Sequence, residues 1–252
     1  MKGLVSAFRT LTMLPVLGPD SGSGVSGLPW FPLVGAFLGL AGWGLAAGLL
    51  RPETLACGPL GSLLVGALVV MLWVWLTRAL HLDGLADLAD GLGGGWTREQ
   101  VLAIMKDSHV GSFGVLALAG ALLVKTVAAG VLCASGSLFW LGVAPVMARW
   151  AMVAQACFHP YARPGPGTAA DIVRQAGPAH LLGASAVALS LLAWMVPQGG
   201  WLRLPGVLGV VIFLTALTGY TTRRRIGGVT GDVLGATCEL AETSALVAAA
   251  LL

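Results

Sequence analysis

The sequence predicts an all-α, polytopic integral membrane protein, formed as one helix bundle over residues 1–252 with about seven transmembrane helices. Three observations support this prediction. The chain is 57% hydrophobic and only 10% charged, whereas soluble domains carry about 25% charged residues. Its mean hydropathy is +0.88. Long apolar segments also follow one another along the whole chain. Too few charges remain to cover a water-facing surface.

The apolar segments approach the length of about 20 residues that a helix needs to cross a bilayer. Their high glycine and alanine content suits helices that pack closely within a membrane. The last segment is the weakest, because Glu239 and Glu242 interrupt it, and we expect it to span only if protein holds its polar end. A bundle of six spans therefore stays open. The predicted spans are 30–50, 60–77, 113–134, 138–157, 180–197, 206–220 and 234–252.

The distribution of charge predicts the orientation of these spans. With the N-terminus in the cytoplasm and seven alternating spans, only Arg51 and Arg203 lie on the opposite side. Most of the positive charge then lies on the cytoplasmic side, which is the usual pattern. Nearly all acidic residues fall on that side too, so we expect the active site at the cytoplasmic face. The basic residues assigned to it are Lys2, Arg9, Arg78, Arg98, Lys106, Arg163, Arg174 and Arg223–Arg225.

The motif LHLDGLADLADGLGGG, which begins at residue 80, is the most informative part of the chain. Asp83, Asp87 and Asp90 have the spacing that places side chains on one face of a helix. Like charges on one face repel, and a hard, oxygen-liganded ion such as Mg²⁺ would relieve that repulsion. Gly84 would let a phosphate approach the backbone closely, and His81 adds a donor or base. The alternative is a solvated, acidic helix end.

A second polar motif, IMKDSHVGSF, precedes the third predicted span. Lys106 offers a positive charge for a phosphate, and Asp107 could complete a metal site or orient a base. Ser108 and the neighbouring backbone N–H groups could hold an anion at the start of the helix. An ordinary N-capped helix is the alternative for this motif.

A third motif, RRRIGGVTGDVLGATCELAE, begins at residue 223 and leads into the last predicted span. Thr230 and Asp232 are placed to cap the helix that follows the glycine-rich turn. Asp232 shares a helical face with Glu239 and Glu242. Acids on a helix that enters lipid are costly, so this face predicts a bound cation, a polar partner or a water-filled cavity.

Two basic residues lie within predicted spans, and a third lies in a loop rich in Pro and Gly. Lys125 and Arg149 would each cost roughly 2.5–3.5 kcal/mol at the bilayer centre. Snorkelling or a structural ion pair is the alternative for both. We expect Arg149 to line a polar cavity with a phosphate or a carboxylate as its partner. Arg163, beside Tyr161, could hold an anionic ligand, although Tyr161 could equally serve as an interfacial anchor.

Together, these motifs predict phosphoryl-type transfer at one membrane face. Mg²⁺ would bridge a pyrophosphate while a hydroxyl attacks one phosphorus and a nucleoside monophosphate leaves. A transporter of an ion or small molecule is the first alternative. Transporters tend to show related halves with sites near the midplane, whereas here the acids cluster at one face. A membrane scaffold is the second alternative, but it would not need three aspartates on one face.

Six sequence blocks resemble the cobalamin synthase family, the adenosylcobinamide-GDP ribazoletransferases: FRTLTMLP, FPLVGA, HLDGLADLADG, IMKDSHVGSFG, APVMAR and GGVTGDVLGA. The resemblance implies transfer of adenosylcobinamide phosphate from adenosylcobinamide-GDP to α-ribazole or its 5′-phosphate, with release of GMP. It also implies Mg²⁺ as cofactor and a multi-pass location in the bacterial cytoplasmic (inner) membrane. The lipid bilayer is thus an expected partner, and nucleic acid is not. Homo-oligomer formation is left open.

We assign roles on this combined basis. In the implied reaction an acid or His81 takes the proton of the attacking hydroxyl. The candidate catalytic residues are Asp83, Asp87, Asp90, His81, Lys106 and Asp107. The candidate substrate- or phosphate-binding residues are Gly84, Ser108, Arg149, Arg163, Thr230 and Asp232. The candidate metal ligands are Asp83, Asp87, Asp90 and Asp232.

Overall fold

The computed structural model describes residues 2–19, 24–50, 58–165 and 167–252, and for Thr168 the backbone only. Arg51, which the orientation argument used, lies outside these residues. Among the described residues the regular elements are helical, apart from an isolated parallel bridge between Tyr161 and Val229. The helices are α1 (Lys2–Leu11), α2 (Phe31–Leu49), α3 (Pro59–Leu76), α4 (Leu80–Gly94), α5 (Arg98–Ile104), α6 (Ser112–Ala134), α7 (Phe139–Phe158), α8 (Thr168–Gln175), α9 (Pro178–Met195), α10 (Leu204–Ile226) and α11 (Gly231–Leu251), with 3₁₀ segments at Gly24–Trp30 and Gln198–Gly200.

Seven helices in the described part of the chain are long and apolar enough to cross a membrane, which confirms a multi-pass helical bundle. They are α2 with the preceding 3₁₀ segment, α3, α6, α7, α9, α10 and α11. The predicted spans fall on these helices in order. One large difference is at α10, which continues to Ile226 rather than ending at residue 220. Basic side chains favour a helix C-terminus, and α10 ends only where Gly227 adopts φ +83°.

Close backbone contacts hold the centre of the bundle together. Helix α7 packs against α2, α9, α10 and α11. Glycines allow α2 and α7 to approach, since a Cβ on Gly39 would lie 2.1 Å from the carbonyl oxygen of Gly142. The indole Nε1 of Trp73 donates to the Leu38 carbonyl at 2.8 Å and ties α3 to α2. Small residues thus replace large apolar contacts here, as is common between membrane helices.

The short helices α1, α4, α5 and α8 gather with the loops at one end of the bundle, called here the polar end. Arg98 donates from Nε to the Ile226 carbonyl at 2.8 Å and from Nη2 to the Ala162 carbonyl at 2.7 Å. Arg225 donates to the Gly95 carbonyl at 2.6 Å. Hydrogen bonds from charged donors are stronger than neutral ones. These arginines therefore tie α4, α5, the end of α10 and the loop after α7 into one assembly.

The junction between α3 and α4 has an unusual backbone. Arg78 and Ala79 have φ values of +53° and +56°, although neither is glycine. Residues with a Cβ pay about 1–2 kcal/mol for this left-handed conformation. The Ala79 amide donates to the Val74 carbonyl at 2.9 Å, which fastens the turn to the end of α3. The turn redirects the chain so that α4 begins at the polar end.

We expect Ala79→Gly to stabilise the protein, because removing the Cβ relieves the left-handed strain. A gain of about 1 kcal/mol corresponds to a rise of about 2–4 °C in Tm for a chain of this size. Thermal unfolding of the purified protein in detergent measures the effect. Ala89→Gly, inside α4, is the matched control and should lower Tm, because glycine weakens a helix interior. Equal losses in both variants would contradict the strained turn.

Candidate active site at the polar end

Helices α4 and α11 cross closely because each contributes a glycine at the contact. A Cβ on Gly84 would lie 2.6 Å from the carbonyl oxygen of Asp232, and one on Gly235 would lie 3.2 Å from the Cα of His81. Gly84 is buried against α11. The sequence predicted that Gly84 would admit a phosphate to the backbone; in the structure the space above it is filled by Asp232. Gly84 thus brings the two acid-bearing helices together.

Three carboxylates lie near this crossing. Asp83 is exposed and Asp87 is half-buried on α4, and Asp232 lies in the first turn of α11. Burial, followed by the negative charges of Asp232 and Asp83, raises the pKa of Asp87 to about 6. Arg163 partly offsets this effect. The cluster is therefore short of positive charge, as the sequence predicted for the acids of α4.

Arg163 is the cation that the fold supplies to this cluster. Its Nη2 lies 2.8 Å from Oδ2 of Asp232 and donates to the Met105 carbonyl at 3.1 Å. The loop that carries Arg163 is fixed by the bridge at Val229, whose carbonyl accepts from the Ala162 amide at 2.8 Å. Arg163 thus lies at the predicted site, paired with a carboxylate and partly exposed toward any ligand there.

Thr230 acts as the N-cap of α11. Its Oγ1 accepts from the Val233 amide at 3.3 Å and donates to Oδ2 of Asp232 at 3.2 Å. The residue is fully buried. The prediction of a substrate contact is therefore not met in this structure: Thr230 orients Asp232, which remains partly exposed at the crossing.

Asp90 has a different task from Asp83 and Asp87. Its two carboxylate oxygens accept from the amides of Gly111 and Gly114 at 2.7 and 2.8 Å, and so cap the start of α6. The spacing along the helix explains the difference. Asp90 lies on the same face as Asp83 but about 10 Å farther along the axis, too far for one ion to bind both. The structure thus separates Asp90 from the predicted metal ligands.

The remaining carboxylates fit a metal held jointly with a substrate. Within the described ranges, no three His, Cys, Asp or Glu side chains form a group that could hold a metal ion by itself. Mg²⁺ is typically held by one or two carboxylates, several waters and substrate phosphates rather than by a complete protein cage. Asp83, Asp87 and Asp232 supply hard oxygen donors with a deficit of positive charge. These residues therefore suit a Mg²⁺–pyrophosphate complex.

The loop before α6 lies beside the cluster without joining it. Asp107 accepts from the backbone amide of His109 at 3.0 Å, and its Oδ1 lies 2.7 Å from Nδ1 of that residue. The hydrogen bonds from His109 lower the pKa of Asp107. Lys106, Asp107 and Ser108 are all exposed. The contact between Met105 and Arg163 places this loop at the rim of the carboxylate cluster. Lys106 therefore remains a candidate phosphate contact, whereas Asp107 bonds to His109 within its own turn.

Arg149 belongs to a buried ion network inside the bundle. Its Nη1 contacts Oε2 of Glu242, whose Oε1 accepts from Lys125 Nζ at 2.9 Å. Lys125 also pairs with Glu239. All four side chains are almost completely buried, and they join α6, α7 and α11. The sequence left phosphate and carboxylate open as partners of Arg149; the partner is a carboxylate, and the phosphate role is corrected.

His81 is buried between the cluster and this network. It is 1% exposed, and neither ring nitrogen has a hydrogen-bond partner among the described residues. Burial, and then the positive charge of Arg149, lowers its pKa to about 3. A base with so low a pKa binds a proton weakly at neutral pH. The structure therefore disfavours the predicted role of His81 as proton acceptor.

Sequence analysis missed two adjoining cavities at the polar end. One has a volume of about 400 Å³, the other about 500 Å³, and Asp83 and Arg9 line both. Arg78 lines the second. In the sequence Arg78 counted only as one of the cytoplasmic charges. Its position at the end of an apolar run was a signal, but nothing marked the left-handed turn that directs it.

Comparison with known proteins gives a consistent result. Residues 3–250 match the sequence profile of a family described as cobalamin-5-phosphate synthase. A Chlorobaculum tepidum protein named adenosylcobinamide-GDP ribazoletransferase is 43% identical, covering 100% of this chain and 96% of the relative. A protein of the same name from Syntrophobacter fumaroxidans is 39% identical, covering 98% and 97%. No solved structure gives a significant match.

We expect Asp90→Asn to destabilise the protein by about 2 kcal/mol, because the amide group would turn a donor toward one of two backbone N–H groups. Thermal unfolding in detergent measures the loss. Asp83→Asn, at an exposed acid on the same helix face, is the control and should leave Tm unchanged or slightly raised. An unchanged Tm for Asp90→Asn, combined with lost turnover, would instead return Asp90 to the metal site.

We expect Lys125→Met to destabilise the protein by about 3–5 kcal/mol, since it leaves Glu239 buried without its cation. Lys125→Met combined with Glu239→Gln removes both charges and should recover a large part of the loss, while Arg149 keeps Glu242. The yield of folded protein and its Tm in detergent measure both variants. Additive losses in the double variant would show that the pair does not act as a unit.

Proposed function

Because the chain belongs to the cobalamin-5-phosphate synthase family, we propose that it transfers adenosylcobinamide phosphate from adenosylcobinamide-GDP to α-ribazole or α-ribazole 5′-phosphate. The ribazole 3′-hydroxyl forms a new bond to the phosphorus attached to cobinamide. The bond between that phosphorus and the bridging oxygen breaks, GMP leaves with that oxygen, and the hydroxyl proton is released. The observation that carries this proposal is the charge-deficient cluster of Asp83, Asp87 and Asp232 at the polar end.

These carboxylates would hold Mg²⁺ together with the donor pyrophosphate. The bound ion supplies positive charge for the phosphate oxygens and for the leaving GMP. Arg163 orients Asp232 and adds a positive charge within reach of the same phosphates. Lys106, at the rim, would contact an outer phosphate oxygen as a point charge. The protein's contribution is therefore positioning and charge neutralisation, which dominate phosphoryl transfer.

We assign the proton of the attacking hydroxyl to a carboxylate of this cluster rather than to His81. The carboxylates are exposed or half-buried at the crossing of α4 and α11. His81 lines the adjoining cavity but is 1% exposed, and burial lowers its pKa. A group that accepts a proton during attack must reach the hydroxyl. The cluster meets this condition, because Asp83 is exposed and Asp87 and Asp232 are half-buried.

We further propose that the polar end faces the cytoplasm across a bacterial inner membrane, with the N-terminus on the same side. The excess of Lys and Arg on that side supports this orientation. Nucleotide donors and Mg²⁺ are also cytoplasmic reagents. A transporter finds less support, because the named relatives are transferases and the charges inside the bundle are paired with one another.

The test is a direct assay with the purified full chain in detergent. Adenosylcobinamide-GDP, α-ribazole and Mg²⁺ are supplied, and GMP and the corrinoid product are quantified together. GMP and product should appear in equal amounts, EDTA should stop the reaction, and added Mg²⁺ should restore it. GMP without a coupled corrinoid product, or no GMP at all, would overturn the proposed transfer. Turnover unaffected by EDTA would show that the reaction does not depend on Mg²⁺.

We expect Asp83→Asn and Asp87→Asn each to lower kcat by about 100-fold or more, because each removes a charged oxygen donor from the metal–pyrophosphate complex. Their Tm values should stay at or above that of the unchanged protein, since repulsion within the cluster falls. Glu99→Gln, at an exposed acid on α5, is the control and should keep full activity. Normal turnover in either aspartate variant would remove that residue from the site.

A further inference from the structure

Two cavities at the polar end meet at Asp83, and their linings differ in chemistry. The first, called here the apolar cavity, has a volume of about 400 Å³. The second, called here the arginine cavity, has a volume of about 500 Å³. The apolar cavity is walled chiefly by Leu11, Phe31, Met152, Ile172 and Leu234, and the polar residues His81, Asp83 and Asp232 also line it. The arginine cavity is lined by Arg9, Thr10, Thr12, Thr77, Arg78 and Asp83, among others.

Arg78 is the uncommitted cation of the arginine cavity. Its side chain is exposed and makes no hydrogen bond or ion pair with any residue that the structure describes. Arg9, by contrast, donates to the carbonyls of Val16 and Gly18 at 3.0 Å each from Nη2. The left-handed turn fixes where the Arg78 side chain begins. A free guanidinium at a polar cavity offers a bidentate fit to a phosphate.

The threonine hydroxyls of this cavity are already engaged and are less available than Arg78 to donate to a phosphate. The hydroxyls of Thr10, Thr12 and Thr77 donate to carbonyls four residues earlier in the chain at 2.8, 2.8 and 2.9 Å. Their remaining capacity is as acceptors, which suits water or a sugar hydroxyl. The positive charge available to an anion in this cavity comes from Arg78 and Arg9, and Arg9 already donates to two carbonyls.

The size and lining of the apolar cavity limit what can enter it. Small-molecule sites have volumes of about 300–1,000 Å³, so this cavity suits a nucleoside-sized group and is too small for a corrin ring with its side chains. A guanine base would bury several donors and acceptors that each need a partner, whereas the larger part of this wall is apolar. The dimethylbenzimidazole of ribazole has a mainly carbon surface, which the wall of Phe31, Met152 and Leu234 matches.

Resting on the proposed function, we propose that the acceptor lies across both cavities. Its aromatic base enters the apolar cavity, its ribose lies at Asp83, and its 5′-phosphate lies against Arg78 in the arginine cavity. The donor pyrophosphate lies next to that ribose, at Asp83, Asp87 and Asp232. Arg78 is thus the residue that makes α-ribazole 5′-phosphate a better acceptor than free α-ribazole.

The experiment measures kcat/KM for both acceptors at saturating donor, and the KM of the donor, with the full chain in detergent. In Arg78→Gln the preference for the phosphorylated acceptor should fall by about 10–100-fold, the range for one charged hydrogen-bonded contact. Arg78→Lys should retain part of the preference, since it keeps the charge without the bidentate fit. Arg223→Gln, an exposed arginine at the polar end, is the matched control and should leave the preference unchanged.

A second variant tests the other cavity. Ile172→Ala should raise KM for both acceptors by a similar factor and leave the donor KM unchanged, because it removes apolar contact with the shared base. A matched loss for both acceptors in Arg78→Gln, an unchanged preference, or a raised donor KM would each overturn the assignment of Arg78. A raised donor KM in Ile172→Ala would place guanine in the apolar cavity and would overturn the placement of the acceptor base there. No GMP from the unchanged protein with either acceptor would instead defeat the proposed function.

Discussion

The buried ion network of Lys125, Arg149, Glu239 and Glu242 is the interaction on which the site depends. It joins α6, α7 and α11 among apolar side chains, where an unpaired charge would be very costly. Two positive and two negative groups cancel there. Because α11 also carries Asp232 in its first turn, fixing this helix fixes one carboxylate of the cluster. A buried ion network thus helps to set the position of a candidate metal ligand at the polar end.

Much of the fold could be predicted because the information is local. The length and hydropathy of each apolar run determine whether it can span a bilayer, and the seven predicted spans match seven helices. The limits of α10 could not be predicted in the same way. Arg223–Arg225 are charged and so resemble the end of a span, yet charges leave a helix intact, and it is the conformation of Gly227 that ends it.

The candidate site was predictable only in part, because several of its contacts join residues that lie far apart in the chain. The spacing of Asp83 and Asp87 follows from one helix, but whether Asp90 could join them depended on its height along that helix and on α6. The partners of Arg149 and Arg163 lie 93 and 69 positions away in the chain, at Glu242 and Asp232. No local pattern encodes such pairings. The left-handed turn at Arg78 likewise carries none of the glycines that normally signal one.

The arginine-to-carbonyl ties of the polar end have a consequence for acid conditions. A guanidinium keeps its proton throughout the physiological range, and a backbone carbonyl does not titrate. The fastenings made by Arg98 and Arg225 therefore have the same strength in acid as at neutrality. Burial and neighbouring negative charge raise the pKa of Asp87 to about 6. Mild acid would therefore protonate Asp87 and change the charge of the cluster while these arginine ties between α4, α5 and α10 keep their strength.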